Sequence, residues 1–393
     1  MRTRHLLAAS LTMILFACSS GGTKPTASPR PSPSPSPKPV FCPLTGVETT
    51  RSKKLDRPPL AVKIENSTPA RPQAGLDAAD IVYEELAEGG ITRFMAIFHC
   101  ADSSDLGPVR SARLVDPDIL QAYAPVLFGY SGANPIVDSK VRSTRGITDL
   151  EDDGVHGKAY HRQKGRPAPH NLFTTIDALR AFFTGSVTVP KTGFIFNKDA
   201  VTSSSCAVSH SPSPSASAHK SPTGARSKAS PSPSPGCSSP GGRNATPSAA
   251  SPVTSTVTTP TGKAVSFQYS GSDNLVRYVF DAAASVYKRF HGAKPHLLVG
   301  GSQVSVTNVV ILKVKVVPGT IKDAAGNTSP DITVIGTGGA TVLRGGVAVE
   351  GRWTKSSATQ QMTLADLSGR PIELLPGNTW VHLIPNDQQV NVT

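Results

Sequence analysis

The sequence predicts an α+β protein in two folded parts: an N-terminal mixed α/β domain and a C-terminal antiparallel β-rich domain, joined by a disordered Ser/Pro-rich linker. Three observations predict it. Between residues 40 and 198, apolar runs of strand length interleave with helix-start signals, the texture of a mixed α/β domain. Residues 261–393 carry short alternating runs separated by Gly and Asn turns, with almost no helical periodicity, as in a small antiparallel sheet, sandwich or barrel. Residues 199–260 between them are too long and too polar for a loop inside a compact domain.

Arg2, Arg4 and His5 precede the apolar run Leu6 to Phe16, a secretory signal too short to span a bilayer. The run ends in Leu15-Phe16-Ala17-Cys18 and then Ser-Ser-Gly-Gly, which resembles a bacterial lipobox. It implies removal of residues 1–17 and acyl chains on Cys18, which anchor a protein outside the cytoplasm without a transmembrane helix. Residues 18–39 contain SPRPSPSPSPKP, an extended, semi-rigid tether. The formal charge of +13 falls to about +11 (13 − 2) once Arg2 and Arg4 leave, and only 6% of residues are aromatic. There is no arginine-rich helix and no aromatic stacking repeat. The expected partners are therefore cell-wall polymer or an envelope protein, and the membrane through the anchor, with no nucleic acid.

In the first domain, Leu60 to Glu65 (LAVKIE) alternates as a strand. Ile81 to Glu88 and Ile91 to His99 flank Gly89-Gly90, which suits a hairpin turn. A helix over Asp77 to Glu88 competes, because Ile81, Val82, Glu85 and Leu86 also fit a helical face. Asp116 can cap a helix that runs to Tyr123, with Pro117 at its first position. Ala124 to Tyr130 is an apolar strand. Thr175 is a second N-cap before IDALRAFF, with Gly185 as its C-cap.

Three clusters carry candidate chemistry. Arg110 and Arg113 flank Ser111 in GPVRSAR, and guanidinium forks match carboxylate or phosphate oxygens in pairs. If residues 109–113 form a helical turn, the two arginines share a face and can grip one anion. Their alternative is structural pairing with nearby carboxylates. His161 lies in YHR, and His170 and Asn171 in PHNLF; histidines at this spacing match no helical metal pair, and no metal or other cofactor is expected. Glu84, Glu85 and Glu88, with Arg93, form the third cluster. Paired carboxylates suit glycoside hydrolysis, but Glu84 and Glu85 are adjacent and point to opposite faces of a strand. No GxSxG, P-loop, HExxH or SxxK motif is present.

Besides Cys18, the cysteines are Cys42, Cys100, Cys206 and Cys237. Export permits disulfides, and four cysteines allow three connectivities. Cys206 and Cys237 bracket a tract that cannot fold, so a bridge there would close it as a loop and leave Cys42 for Cys100.

In the second domain the expected strands are VSFQY, LVRYVFD, SVYKRFH and VVILKVKVV, with turns at residues 323–327 and at Gly338-Gly339, and a Gly345-Gly346 hairpin. Trp353 and Trp380 are expected in the core, and His296 is placed to reach the other domain.

ARPQAGLDAADIVYEELAEGGITRFMAIF, GPVRSAR and APHNLFT, with KPH (294–296), NVVILKV (308–314), GRWTK (351–355) and GNTW (377–380), resemble the YerB-like bacterial lipoproteins, whose paired domains are of unknown function. The resemblance implies an exported, membrane-anchored envelope protein and brings no catalytic residues. The expected function is binding of anionic cell-wall material or an envelope partner, through Arg110 and Arg113 with His170 and Asn171 nearby. The alternative is a hydrolase or transferase acting on envelope glycan through Glu84 or Glu85 with His161 or His170. A scaffold for a membrane enzyme is a third reading.

Overall fold

The computed structural model describes residues 39–49, 55–200, 261–270, 275–323 and 326–393. The signal, Cys18, the tether, nearly all of the linker and the Cys206–Cys237 pairing lie outside the described residues.

The first half contributes strands β1 (Leu60–Glu65), β2 (Ile81–Leu86), β3 (Thr92–Phe98), β4 (Val126–Tyr130) and β5 (Ile147–Glu151). β2 and β3 form the expected hairpin, with Leu86 opposite Thr92. Its turn uses the glycines as anticipated: Gly89 and Gly90 have φ of 65° and 73°, a backbone that costs glycine nothing. Three helices are short: α1 (Asp116–Leu120), α2 (Pro135–Ser143) and α3 (Ile176–Arg180). Strand residues thus outnumber α-helical ones in the N-terminal half, and the helical part of the mixture expected there is slight. The two start signals differ in outcome: Thr175 Oγ1 accepts from the Ala178 amide at 3.1 Å, whereas Asp116 is the first helical residue after Val115 and makes no capping bond. They support only a turn or two, however, and α3 stops at Arg180, well before Gly185.

The second half adds β6 (Ala264–Gln268), β7 (Leu275–Asp281), β8 (Val286–His291), β9 (Asn308–Lys322), β10 (Thr328–Thr333), β11 (Gly336–Arg344), β12 (Val347–Lys355), β13 (Thr363–Asp366), β14 (Thr379–Pro385) and β15 (Val390–Val392). Here the structure corrects the expectation of a self-contained antiparallel sheet. An 11-stranded sheet runs in the order β13-β12-β11-β9-β14-β2-β3-β1-β4-β5, with β10 paired to β9. β14 lies parallel to both β9 and β2, with His382 opposite Glu84. The reason is in β14 itself: TWVHLI is buried at every position, so it needs a partner on both edges and cover on both faces. Gly338 and Gly339 also differ from expectation, lying inside β11 rather than in a turn. A Cβ on Gly338 would meet the Lys313 carbonyl at 2.4 Å and the Trp353 ring at 2.5 Å, so close approach is what requires glycine there. Gly345 and Gly346, with φ of 54° and 77°, do make the two-residue turn between β11 and β12.

A second antiparallel sheet, β8-β7-β6-β15, covers one face of the large sheet. Val265, Phe267 and Tyr278 join a core with Val82, Phe94 and Trp380. On the opposite face, Ile119, Leu120, Val137 and Val141 from α1 and α2 pack with Ala61, Ile81, Tyr83 and Met95. Trp353 and Trp380 are both core residues. The Cys42–Cys100 disulfide closes a separation of 58 residues and ties the lead-in to the end of β3. No described helix is long and apolar enough to cross a membrane.

Candidate functional site

Strand alternation sends Glu84 and Glu85 of β2 to opposite faces, and each organises a buried polar network. On the face covered by the second sheet, Arg289 of β8 donates from Nη2 to both Glu84 oxygens at 2.9 and 3.1 Å. Thr92 Oγ1 and Asn66 Nδ2 donate to Glu84 Oε1 at 2.8 and 3.1 Å. His382 Nδ1 lies 3.1 Å from Oε2. The Tyr269 and Tyr278 hydroxyls meet the two His382 nitrogens, each at 2.9 Å. Arg289 Nη1 donates to His296 Nδ1 at 2.7 Å, and His296 Nε2 sits 2.9 Å from Gln73 Oε1. His296 therefore does reach the other half. Burial alone would push Glu84 upward, but Arg289 and His382 outweigh it and hold the carboxyl down to about 2. Burial, then the Arg289 charge, drives His296 well below the usual imidazole range.

On the helix face, Lys63 of β1 binds Glu85 and Asp116 together, the latter at 2.7 Å, and all three side chains are fully buried. Burial and the Asp116 charge push the Glu85 carboxyl upward, against the pull of Lys63. Asp116 Oδ2 also accepts from the Arg113 amide at 2.7 Å. Arg113 and Arg93 share Glu88 Oε2. Further along, Arg110 Nε lies 3.3 Å from Glu65 Oε2, and His170 Nδ1 lies 2.9 Å from the same oxygen.

Residues 109–113 form no helical turn; Val109 bridges Ile64 instead. The Arg110 and Arg113 guanidinium groups accordingly diverge, one to Glu65 and one to Glu88, and do not grip one anion as a pair. Arg113 is buried, whereas the Arg110 side chain is 25% exposed. Ser111 and Arg113 line a cleft of about 460 Å³ with Glu88, Asn134, Lys322 and Ser329. Asn171 Oδ1 accepts from Arg162 at 2.8 Å, bracing the 160–171 loop. His161 lies 3.5 Å from Asp105. His161 and His170 thus pair with Asp105 and Glu65 rather than with Glu84 or Glu85, so the acid–base set drawn for a glycan hydrolase does not converge. Among the described residues the one group of three metal-type side chains is Asp138, Asp149 and Glu151, and Arg142 already bonds Asp138 and Glu151 at 2.9 and 2.7 Å.

Sequence reasoning missed Lys63, Arg289, His382, Asn66 and Gln73. The signal available for the first three was an ionisable residue at an interior position of an otherwise apolar strand, in LAVKIE, VYKRFH and WVHLI.

Residues 44–188 match the family described as "Protein of unknown function (DUF3048) N-terminal domain", and residues 265–381 match its C-terminal counterpart. A Bacillus subtilis (strain 168) protein named "Putative lipoprotein YerB" is 38% identical over 139 residues. That match spans 35% of this chain and 41% of the relative's length. The crystal structure of the YerB protein from Bacillus subtilis superposes with a TM-score of 0.64 at 23% identity, covering 90% of this chain and 99% of that one; it supports the fold.

Proposed function

The chain belongs to the DUF3048 family of paired N- and C-terminal domains, the YerB-like lipoproteins, and from that premise we propose that it is a membrane-anchored extracytoplasmic lipoprotein that binds anionic cell-wall polymer. The supporting observation is the exposed end of the Glu65 network. Arg110 and His170 converge there on one buried carboxylate. Arg162 and Lys164 stand exposed on the adjoining loop, and Arg166 braces it by donating to the Ala70 and Pro72 carbonyls. A cation-rich rim of this kind attracts a polyanion through long-range charge that salt screens.

Retention on purified cell walls, compared before and after chemical removal of their anionic polymer, tests the reading. Arg110→Glu combined with Lys164→Glu is expected to weaken retention at least tenfold, and higher salt is expected to weaken the wild type. Equal retention on stripped walls, or an unaffected double variant, contradicts it.

The anchor is tested separately. Cys18→Ser is expected to move the protein from the membrane pellet to the soluble fraction, because the lipobox-like LFAC supplies the acylation site and no described helix can substitute for it. A Cys18→Ser protein that stays in the pellet, with a wild type lacking acyl mass, removes the anchor.

A further inference from the structure

Two segments that entered the argument as separate motifs, Arg71-Pro72-Gln73 in the first half and Lys294-Pro295-His296 in the second, meet in space. They form a cavity of about 390 Å³ lined by Arg71, Pro72, His291, Pro295, His296 and the Leu297–Gly301 hairpin. The second-half wall is docked by backbone: the Val299 amide donates to the Gln73 carbonyl at 2.8 Å. The His296–Gln73 bond fixes it from beneath.

The charge of this cavity is not balanced. Arg71 is half-buried and, among the described residues, bonds to Asn66 alone, from Nε to Oδ1 at 3.3 Å and from Nη2 to the carbonyl oxygen at 2.7 Å. Among the described residues no carboxylate lies within ion-pair distance of it. Glu84 is the nearby anion, and its oxygens are already taken by Arg289, His382, Thr92 and Asn66. Two guanidinium groups, Arg71 and the buried Arg289, therefore face one carboxylate. The histidines add no charge: burial and the Arg289 guanidinium hold His291 and His296 far below the imidazole range. Arg71 feels the excess, being lowered to about 10 by burial and then by the charge of Arg289. The remaining lining is apolar, with Leu297 45% exposed.

We propose that this cavity is a binding site for a small monocarboxylate, its carboxylate on Arg71 and its apolar part against Pro72, Pro295 and Leu297. A guanidinium with donors to spare matches a carboxylate in geometry and in its single charge. The neutral imidazoles and apolar walls disfavour a dianion, whose second charge meets no cation besides Arg71 among the lining residues. Small-molecule sites of this kind favour the junction between domains, and this one exists only where the two halves meet. It shares no lining residue with Arg110, Arg162, Lys164 or His170 of the polymer-binding rim, which it adjoins only through the Arg166 bond to the Pro72 carbonyl, and it does not rest on that rim.

Titration calorimetry on the full chain in detergent, with isobutyrate, its neutral isostere isobutyramide and inorganic phosphate, tests the site. Isobutyrate is expected to bind one to one, and isobutyramide and phosphate at least tenfold more weakly. Arg71→Gln is expected to weaken isobutyrate at least tenfold, with Arg71→Lys recovering part of the loss. Should Arg71→Gln fold poorly, Leu297→Asp places a carboxylate on the exposed wall and is expected to abolish isobutyrate binding by occupying Arg71. Arg110→Glu is expected to leave the isobutyrate affinity within twofold, which separates this site from the wall-binding rim. Equal affinity for isobutyramide, preference for phosphate, or unchanged isobutyrate binding in Arg71→Gln and Leu297→Asp overturns the assignment.

Discussion

Replacing Arg289 with Ala is expected to cost about 3–5 kcal/mol of stability, the range for removing one partner of a buried ion pair. Glu84 is 1% exposed, so without Arg289 its charge would keep only the distant Arg71, which makes no ion pair with it, and water could not replace the lost guanidinium. His382 cannot take over readily, because burial lowers its own affinity for a proton. The pH dependence should change with it. A carboxyl held down to about 2 when folded contributes stability that is present above the usual carboxylate range and lost as pH falls toward 2. In Arg289→Ala that contribution disappears, and the midpoint at neutral pH should fall more than the midpoint near pH 3. The double variant Glu84→Gln with Arg289→Met should recover most of the loss, since a matched apolar and polar replacement leaves no buried charge. Urea unfolding of the wild type and the two variants at both pH values decides the matter. A loss below about 1 kcal/mol in Arg289→Ala, or a double variant no better than the single, would show that the pair is not what holds this layer together.

Lys63→Met is expected to have an effect of similar size, about 3–5 kcal/mol at neutral pH, with the opposite dependence on pH. Lys63 is the cation between Glu85 and Asp116, and removing it leaves two adjacent carboxylates fully buried. One or both must then take up a proton to stay folded. The Glu85 carboxyl is already raised in the wild type. A raised carboxyl gives stability that is full below the unfolded value, near 4, and lost as pH rises through the folded value. The Lys63→Met penalty should therefore shrink between pH 7.5 and pH 5. Denaturation midpoints at the two pH values test it, and a penalty that stays the same or grows toward pH 5 would contradict it.

How much of this was readable before the structure depends on the range of the interaction. The β2–β3 hairpin was legible because Gly89-Gly90 and the flanking apolar runs are local signals, and the opposite facing of Glu84 and Glu85 follows from strand geometry alone. The Thr175 cap was legible for the same reason. What Arg289 and His382 do was not, because their partner lies 205 residues away for Arg289 and across a parallel strand pairing that no turn announces. Length misled the estimate of helix content: IDALRAFF has a good start signal, but only Ile176–Arg180 is helical, and short helices owe their stability to packing more than to propensity. Arg110 and Arg113 were expected to share one anion, with pairing to nearby carboxylates as the alternative; their separation to Glu65 and Glu88 depends on Val109 bridging β1, a tertiary contact.

The placement of β14 has a temporal side. A strand near the carboxyl end of the chain is wedged between β9 and β2, which are separated from each other by more than two hundred residues. While the chain emerges amino end first during synthesis, β2 has β3 on one side and a row of unsatisfied amides and carbonyls on the other. Nothing can fill that row until residues 379–385 emerge. The first half is thus obliged to wait with an adhesive edge exposed, and long-range closure of this kind is slow.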